Sequence, residues 1–207
     1  MTLRLGAGLL PVPPPSRRVG RRLTAPLAVL AVGLATAAVV SRTTATGPPV
    51  APRAAVIAQY DYAFRLPTGW RHTGGLPERR RTLLTPAGAP EGSDLVSVEQ
   101  TALGYDSAAE PERAGRELHQ RFRAAAASDP GLAGLTMSIT YAGRSVIGYR
   151  QALPTLGARV DWYVLFDRDA QLSVGCQHTV AGTAEVEAAC VQVLASIARR
   201  AAVPPPR

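Results

Sequence analysis

Residues 172–179 read LSVGCQHT. In an extended strand successive side chains point to opposite faces, so Leu172, Val174, Cys176 and His178 share one face and Ser173, Gly175 and Gln177 the other. The first set is largely apolar and looks toward a core. A few residues on, from Thr183, the period changes: Val186, Cys190, Val193, Leu194 and Ile197 recur at helical spacing. Thr183 is placed to cap that helix, and Glu185 stands in its first turn, where the helix dipole favours an acid. A strand with one apolar face runs into a helix with one apolar stripe, and the two bury each other. The chain's only two cysteines, Cys176 and Cys190, lie on the surfaces that meet.

The same reading extends upstream. Residues 158–166 form the preceding strand, joined to the last one (170–178) through the tight turn Asp167-Arg168-Asp169, and residues 133–141 and 145–153 form two more. Before them, Ser107-Ala108-Ala109-Glu110 is a capping-box pattern, followed at helical spacing by Ala114, Leu118, Phe122 and Ala125. Pro111 falls in the first turn, where its missing N–H costs little, and Asp129-Pro130-Gly131 ends the helix. Residues 57–66 alternate as one strand and stop at the turn Pro67–Trp70; residues 79–85 and 94–102 are two further extended runs. Three strands, a helix, four strands and a helix predict an α+β domain, a mostly antiparallel β-sheet with two main helices packed on it.

Ahead of this domain the chain is of another kind. Residues 1–53 hold seven arginines and no acid, whereas the other sixteen arginines face all fifteen acids, a net of +1. The basic character therefore belongs to the leader, and a neutral body lacks the electrostatic footprint of a nucleic-acid binder. Residues 23–40, LTAPLAVLAVGLATAAVV, carry no charge. As a helix rising ~1.5 Å per residue they would measure about 27 Å, close to the ~30 Å hydrocarbon core. Arg17, Arg18, Arg21 and Arg22 on the amino side predict that end in the cytoplasm and the body outside. A cleaved signal peptide competes with an anchor here, but the run is longer than a usual h-region and no A-x-A site follows it. The expected organisation is a disordered basic leader (1–22), a transmembrane anchor (23–40), a Pro/Gly/Thr-rich linker (41–54), an extracytoplasmic domain (55–202) and a short tail (203–207).

Outside the membrane the redox environment is oxidising, and a disulfide between Cys176 and Cys190 is the simplest expectation. Two buried free thiols are the alternative. Thiol chemistry is disfavoured, because a reactive thiolate needs an exposed electropositive niche and Cys176 faces Val174 and the helix. Zinc needs a cluster of ligands that one Cys-x-His pair and a distant cysteine do not supply. His178 reads as a rim residue bonded to backbone. Asp161 and Asp167 flank Trp162-Tyr163, where they balance arginines more readily than they form a catalytic dyad. No serine-hydrolase, zinc-protease or calcium-loop motif is present, and the chain has no lysine for Schiff-base or phosphate-loop chemistry. The expectation is a non-enzyme with no catalytic, metal or cofactor-binding residues. Trp70 and the run Arg79-Arg80-Arg81 are the candidate interaction surface, the arginines being suited to anionic headgroups.

Several stretches together resemble one family. The run from Tyr62 to Gly75 (YAFRLPTGWRHTGG) with Arg79-Arg80-Arg81 after it, Gln100 to Asp106 (QTALGYD), Val160 to Leu165 (VDWYVL), and Gln171 to Thr179 followed by Ala189-Cys190 resemble the carboxy-terminal domain of actinobacterial type VII secretion-associated proteins. The likeness covers roughly residues 58–198. More distantly, the chain is similar to PsbP-like α+β domains and to LpqN-type mycobacterial lipoproteins. The resemblance implies a single-span plasma-membrane protein whose outer domain contacts type VII secretion components or substrates, and it implies no catalytic residues. Longer members carry a further domain ahead of the span, where this chain has about 22 residues. A lipid or small-molecule binding module of PsbP-like fold is the alternative, with Trp70 or Trp162 lining a groove between sheet and helix.

Overall fold

The computed structural model describes residues 55–89 and 91–200. The expected leader, span, linker and tail lie outside them, and no helix among the described residues is long and apolar enough to cross a membrane. In chain order the elements are β1 (Val56–Gln59), β2 (Tyr62–Arg65), β3 (Trp70–Leu76), β4 (Arg81–Pro86), β5 (Leu95–Ala102), α1 (Pro111–Ala126), β6 (Leu132–Tyr141), β7 (Arg144–Leu153), β8 (Ala158–Asp167), β9 (Ala170–Thr179), α2 (Thr183–Ser196) and β10 (Ala198–Arg199). Strands β3 to β9 form one antiparallel sheet in the order β3-β4-β5-β9-β8-β7-β6, and β1, β2 and β10 form a second, small one.

LSVGCQHT is the middle of this architecture. Strand β9 is the central strand of seven, and every residue from Ala170 to Cys176 is buried. The expected face is apolar: Leu172, Val174 and Cys176 pack with Val186, Ala189, Cys190, Val193 and Leu194 of α2 and with Ile197 just past its end. At about 1.5–3 kcal/mol per fully buried aliphatic side chain, this layer is the main source of cohesion. The opposite face, which carries Ser173 and Gly175, is covered as well. Neighbours along a strand point to opposite faces, and whereas Val146 and Leu165 join the α2 layer, the adjacent Ile147 and Val164 pack on Leu118 of α1. The sheet therefore lies between the two helices. Polar side chains fasten the α1 side: Arg121 Nη2 donates to Gln171 Oε1 at 2.7 Å, and Gln171 Nε2 donates to Ser173 Oγ at 3.0 Å.

The amino-terminal part departs from the expectation in two places. Residues 57–66 are a hairpin rather than one strand, turning at Tyr60-Asp61 with Tyr60 in the left-handed region (φ 55°). Tyr-Asp carries none of the Gly or Asn that usually announce such a turn, and strict alternation ran through it unbroken. The turn is held from outside, because Gln100 Nε2 donates to the Asp61 carboxylate and Arg80 Nη2 does the same. Tyr62 and Phe64 are thereby delivered into the core, each 1% exposed. Strand β3 is the second departure. Trp70 closes the predicted turn, its N–H donating to Pro67 O at 3.1 Å, and then begins a strand of seven residues. A bulge between His72 and Gly74 interrupts its alternation, and a Cβ on Gly75 would stand 2.0 Å from Arg81 O, so only glycine permits this approach to β4.

Neither helix is capped as expected. Helix α1 starts at Pro111 with Glu110 as N-cap, while Ser107 is buried and donates its hydroxyl to Arg168 O at 2.6 Å, tying the loop to the β8–β9 turn. Helix α2 has Gly182 as N-cap and Thr183 as its first residue. Asp94 stands beside that end of the helix, accepting from Thr179 N–H at 2.6 Å, and a Cβ on Gly182 would lie 2.0 Å from Asp94 Oδ2.

Candidate functional site

The sequence-expected residues fall into separate places. Cys176 and Cys190 form a disulfide, Cα–Cα 6.2 Å, that joins β9 to α2 across a separation of 14 residues. In the chain-entropy model a loop of that size is worth about 3 kcal/mol. Trp70 is 6% exposed and belongs to the core beneath α2. The three arginines do not form one basic face. Arg79 is exposed at the end of a 3-10 turn, Arg80 pairs with Asp61 and lies over the Tyr60 ring at 5.3 Å, and Arg81 pairs with Glu99. Asp161 and Asp167 are six residues apart on β8, about 20 Å along an extended strand.

The residues the structure does bring together lie around His178. The β8–β9 register sets Arg159 directly opposite His178 and Asp161 opposite Cys176, all on the α2 side of the sheet. His178 is 6% exposed, so it is not a rim residue. Its Nε2 lies 3.0 Å from Asp161 Oδ2 and 3.0 Å from Arg159 Nε; its Nδ1 lies 3.1 Å from Thr179 O and 3.0 Å from Thr183 Oγ1. Arg150, on β7, reaches Asp161 Oδ1 at 3.4 Å. Asp161 is thus shared by two guanidinium groups and an imidazole, which satisfies a carboxylate that is only 21% exposed.

Beside this cluster Tyr141 and Tyr163 stack with ring centroids 4.2 Å apart. Burial raises the Tyr163 phenol well above its ordinary range, and Tyr141, Asp161 and Glu187 add to the effect. Burial likewise raises Tyr141, reinforced by Glu187 and Asp161. Both hydroxyls therefore remain donors at neutral pH. With Thr183, Val186 and Glu187 of α2, these side chains line a cleft of about 150 Å³. A second groove of about 360 Å³ adjoins it over β7, sharing Arg150, Asp161 and Tyr163 and lined further by Gly148 and Trp162.

Asp161, His178 and Thr183 are hydrogen-bonded in a row. Thr183 Oγ1 lies 3.0 Å from Thr179 O and 3.1 Å from Val180 O, so its proton has carbonyl acceptors at the start of α2 as well as His178 Nδ1. Nε2 faces a donor and an acceptor at the same distance: with a proton it donates to Asp161, and without one it accepts from Arg159.

Sequence reasoning named Cys176, His178, Asp161 and Trp162 separately but did not place Asp161, Arg159 and His178 on one face. The signal was present, since counting back from the Asp167-Arg168-Asp169 turn pairs Arg159 with His178.

No family model matches this chain, and no curated protein does. Among solved structures, the chain is similar to a crystal structure from Bacteroides thetaiotaomicron at 10% identity and a TM-score of 0.46, covering 69% of this chain and 46% of that one. This chain spans less than half of that protein's length. It is also similar to the solution structure of cyanobacterial PsbP (CyanoP) from Synechocystis, at 14% identity and a TM-score of 0.41, covering 68% of this chain and 87% of that one. A PsbP-like structure is thus among the neighbours of this fold, at low identity.

Proposed function

We propose that this chain is a non-enzymatic, membrane-tethered accessory protein of type VII secretion, whose domain acts outside the plasma membrane through protein–protein contacts. The observation that carries the reading is where the family-like residues fall. Tyr62, Phe64, Trp70, Leu165, Leu172, Val174, Cys176, Ala189 and Cys190 all lie in the resembling stretches and all are core residues. The likeness thus follows the framework of the whole domain from β2 to α2 rather than one short motif. The disulfide supports an exported domain, since such bonds persist where the environment oxidises thiols. The uncharged run 23–40 supports a tether, and the arginines before it support the outward orientation.

The contact surface is to be sought among exposed positions, not at Trp70. Arg79, Leu156 and Val180 are exposed and well separated in sequence. A photo-crosslinking side chain at each of these positions, in intact cells, is expected to capture a membrane component or substrate of the secretion apparatus from at least one of them. Background labelling alone from all three, at normal expression, would end the proposal.

A further inference from the structure

The cleft between the first turn of α2 and strands β7–β8 holds two kinds of unused charge. Arg150 and Arg159 direct only Nε toward Asp161 and His178, and among the described residues neither terminal Nη pair is engaged in a hydrogen bond. A guanidinium fork of this kind matches a carboxylate geometrically. Glu187, exposed on α2, lines the same cleft and has no ion-pair partner among the described residues, yet it stands close enough to raise Tyr141 and Tyr163. Two guanidinium groups and two carboxylates give the cleft no net charge when His178 is neutral. A simple anion would have to compete with Asp161 for the arginines, and a simple cation would meet the arginines. A molecule with both charges satisfies both sets.

We propose that this cleft binds a small amphoteric ligand, one carrying a carboxylate and an ammonium group, as a free amino acid or short peptide does. The carboxylate is taken by the Nη groups of Arg150 and Arg159, and the ammonium by Glu187. The cleft of about 150 Å³ suits the charged head. The adjoining groove of about 360 Å³, lined by Ile139 and Tyr163 beside Arg150 and Asp161, suits a side chain or a second residue. Gly148 also lines that groove, and a Cβ there would lie 2.7 Å from Ile139 Cδ1, so the Ile139 side chain packs against its backbone.

The test is saturation-transfer NMR on the full-length chain in detergent, with the common L-amino acids and the dipeptides Ala-Ala and Ala-Phe as probes. N-acetyl-phenylalanine, which lacks the ammonium, and phenethylamine, which lacks the carboxylate, are the controls. At least one amphoteric probe is expected to bind, with both controls weaker by about tenfold or more. Arg150→Gln and Glu187→Gln, both at exposed side chains, are each expected to weaken it to a similar degree while leaving the circular dichroism unchanged. Absence of binding by every amphoteric probe overturns the proposal, as does a control that binds equally well or binding indifferent to both substitutions. The outcome is independent of the secretion role, which the crosslinking experiment decides separately.

Discussion

Gly175→Ala puts the packing of the central strand to a quantitative test. Gly175 sits in β9 between Ser97 of β5 and Trp162 of β8, its direct partners on either side. A Cβ at this position would stand 2.7 Å from Ser97 Oγ and 2.8 and 2.9 Å from Trp162 Cζ3 and Cη2. The hydroxyl can rotate away, so the cost falls on the indole. Trp162 is held on its other side, stacked on Tyr149 at 5.9 Å and donating Nε1–H to Gln151 Oε1 at 3.2 Å. Displacing it forfeits part of an aromatic pair and a hydrogen bond, each worth about 1 kcal/mol, within the 1–3 kcal/mol typical of overpacking. We expect Gly175→Ala to cost about 2 kcal/mol. Urea unfolding followed by circular dichroism would read this as a midpoint lower by about 1 M, at an m-value of about 2 kcal/mol/M. Trp162→Phe removes the two atoms in question, so the alanine should cost markedly less in that background, a coupling of about 1 kcal/mol or more. An unchanged midpoint in the single mutant, or strictly additive losses in the double, would refute the slot described for Gly175.

Two other perturbations address separate parts of the fold. Gly182→Ala should destabilise by about 1–3 kcal/mol because its Cβ collides with the Asp94 carboxylate; in an Asp94→Ala background that penalty should largely vanish, and chemical denaturation of the four proteins checks it. Burial pushes Tyr62 and Tyr149 up to about 12. Since the folded state holds these phenols protonated above the unfolded value of 10, their contribution is fully present below about pH 10 and is lost as pH rises toward 12. The unfolding midpoint should therefore fall across that window, less so in Tyr149→Phe than in the native chain, and an equal fall in both would contradict the assignment.

How much of this was legible in the sequence depended on how local the cause was. Strands β6 to β9 and the stripe of α2 were readable to within a residue or two, because their extended or helical runs are bounded by turn residues, even though β6 itself is interrupted by register shifts. The pairing of Cys176 with Cys190 followed from those two periods. The Tyr60-Asp61 turn was not legible, since it is stabilised by Gln100 and Arg80, far along the chain, rather than by its own residues. Ser107 matched a capping box and instead bonds a carbonyl 61 residues away. The coverage of Ser173 and Gly175 was hidden for a similar reason: a polar strand face looks solvated until Arg121 of α1 is known to reach Gln171 and Trp162 to lie over Gly175. Of the candidate cleft, Asp161 was read as balancing arginines and Arg159 was not singled out, although the register of one turn sets both beside His178. The arginine triplet misled in the other direction, because the partners of Arg80 and Arg81 come from the β1–β2 turn and from β5.

The central claim, a domain that works outside the membrane, rests most directly on the state of Cys176 and Cys190 in the living cell. Cells quenched in acid, treated with a maleimide before and after reduction, and analysed by peptide mapping would report it. The account predicts that both cysteines are blocked before reduction and are recovered as a single Cys176–Cys190 cross-linked peptide. Two thiols already free at the moment of quenching would place the domain in a reducing compartment and contradict the account.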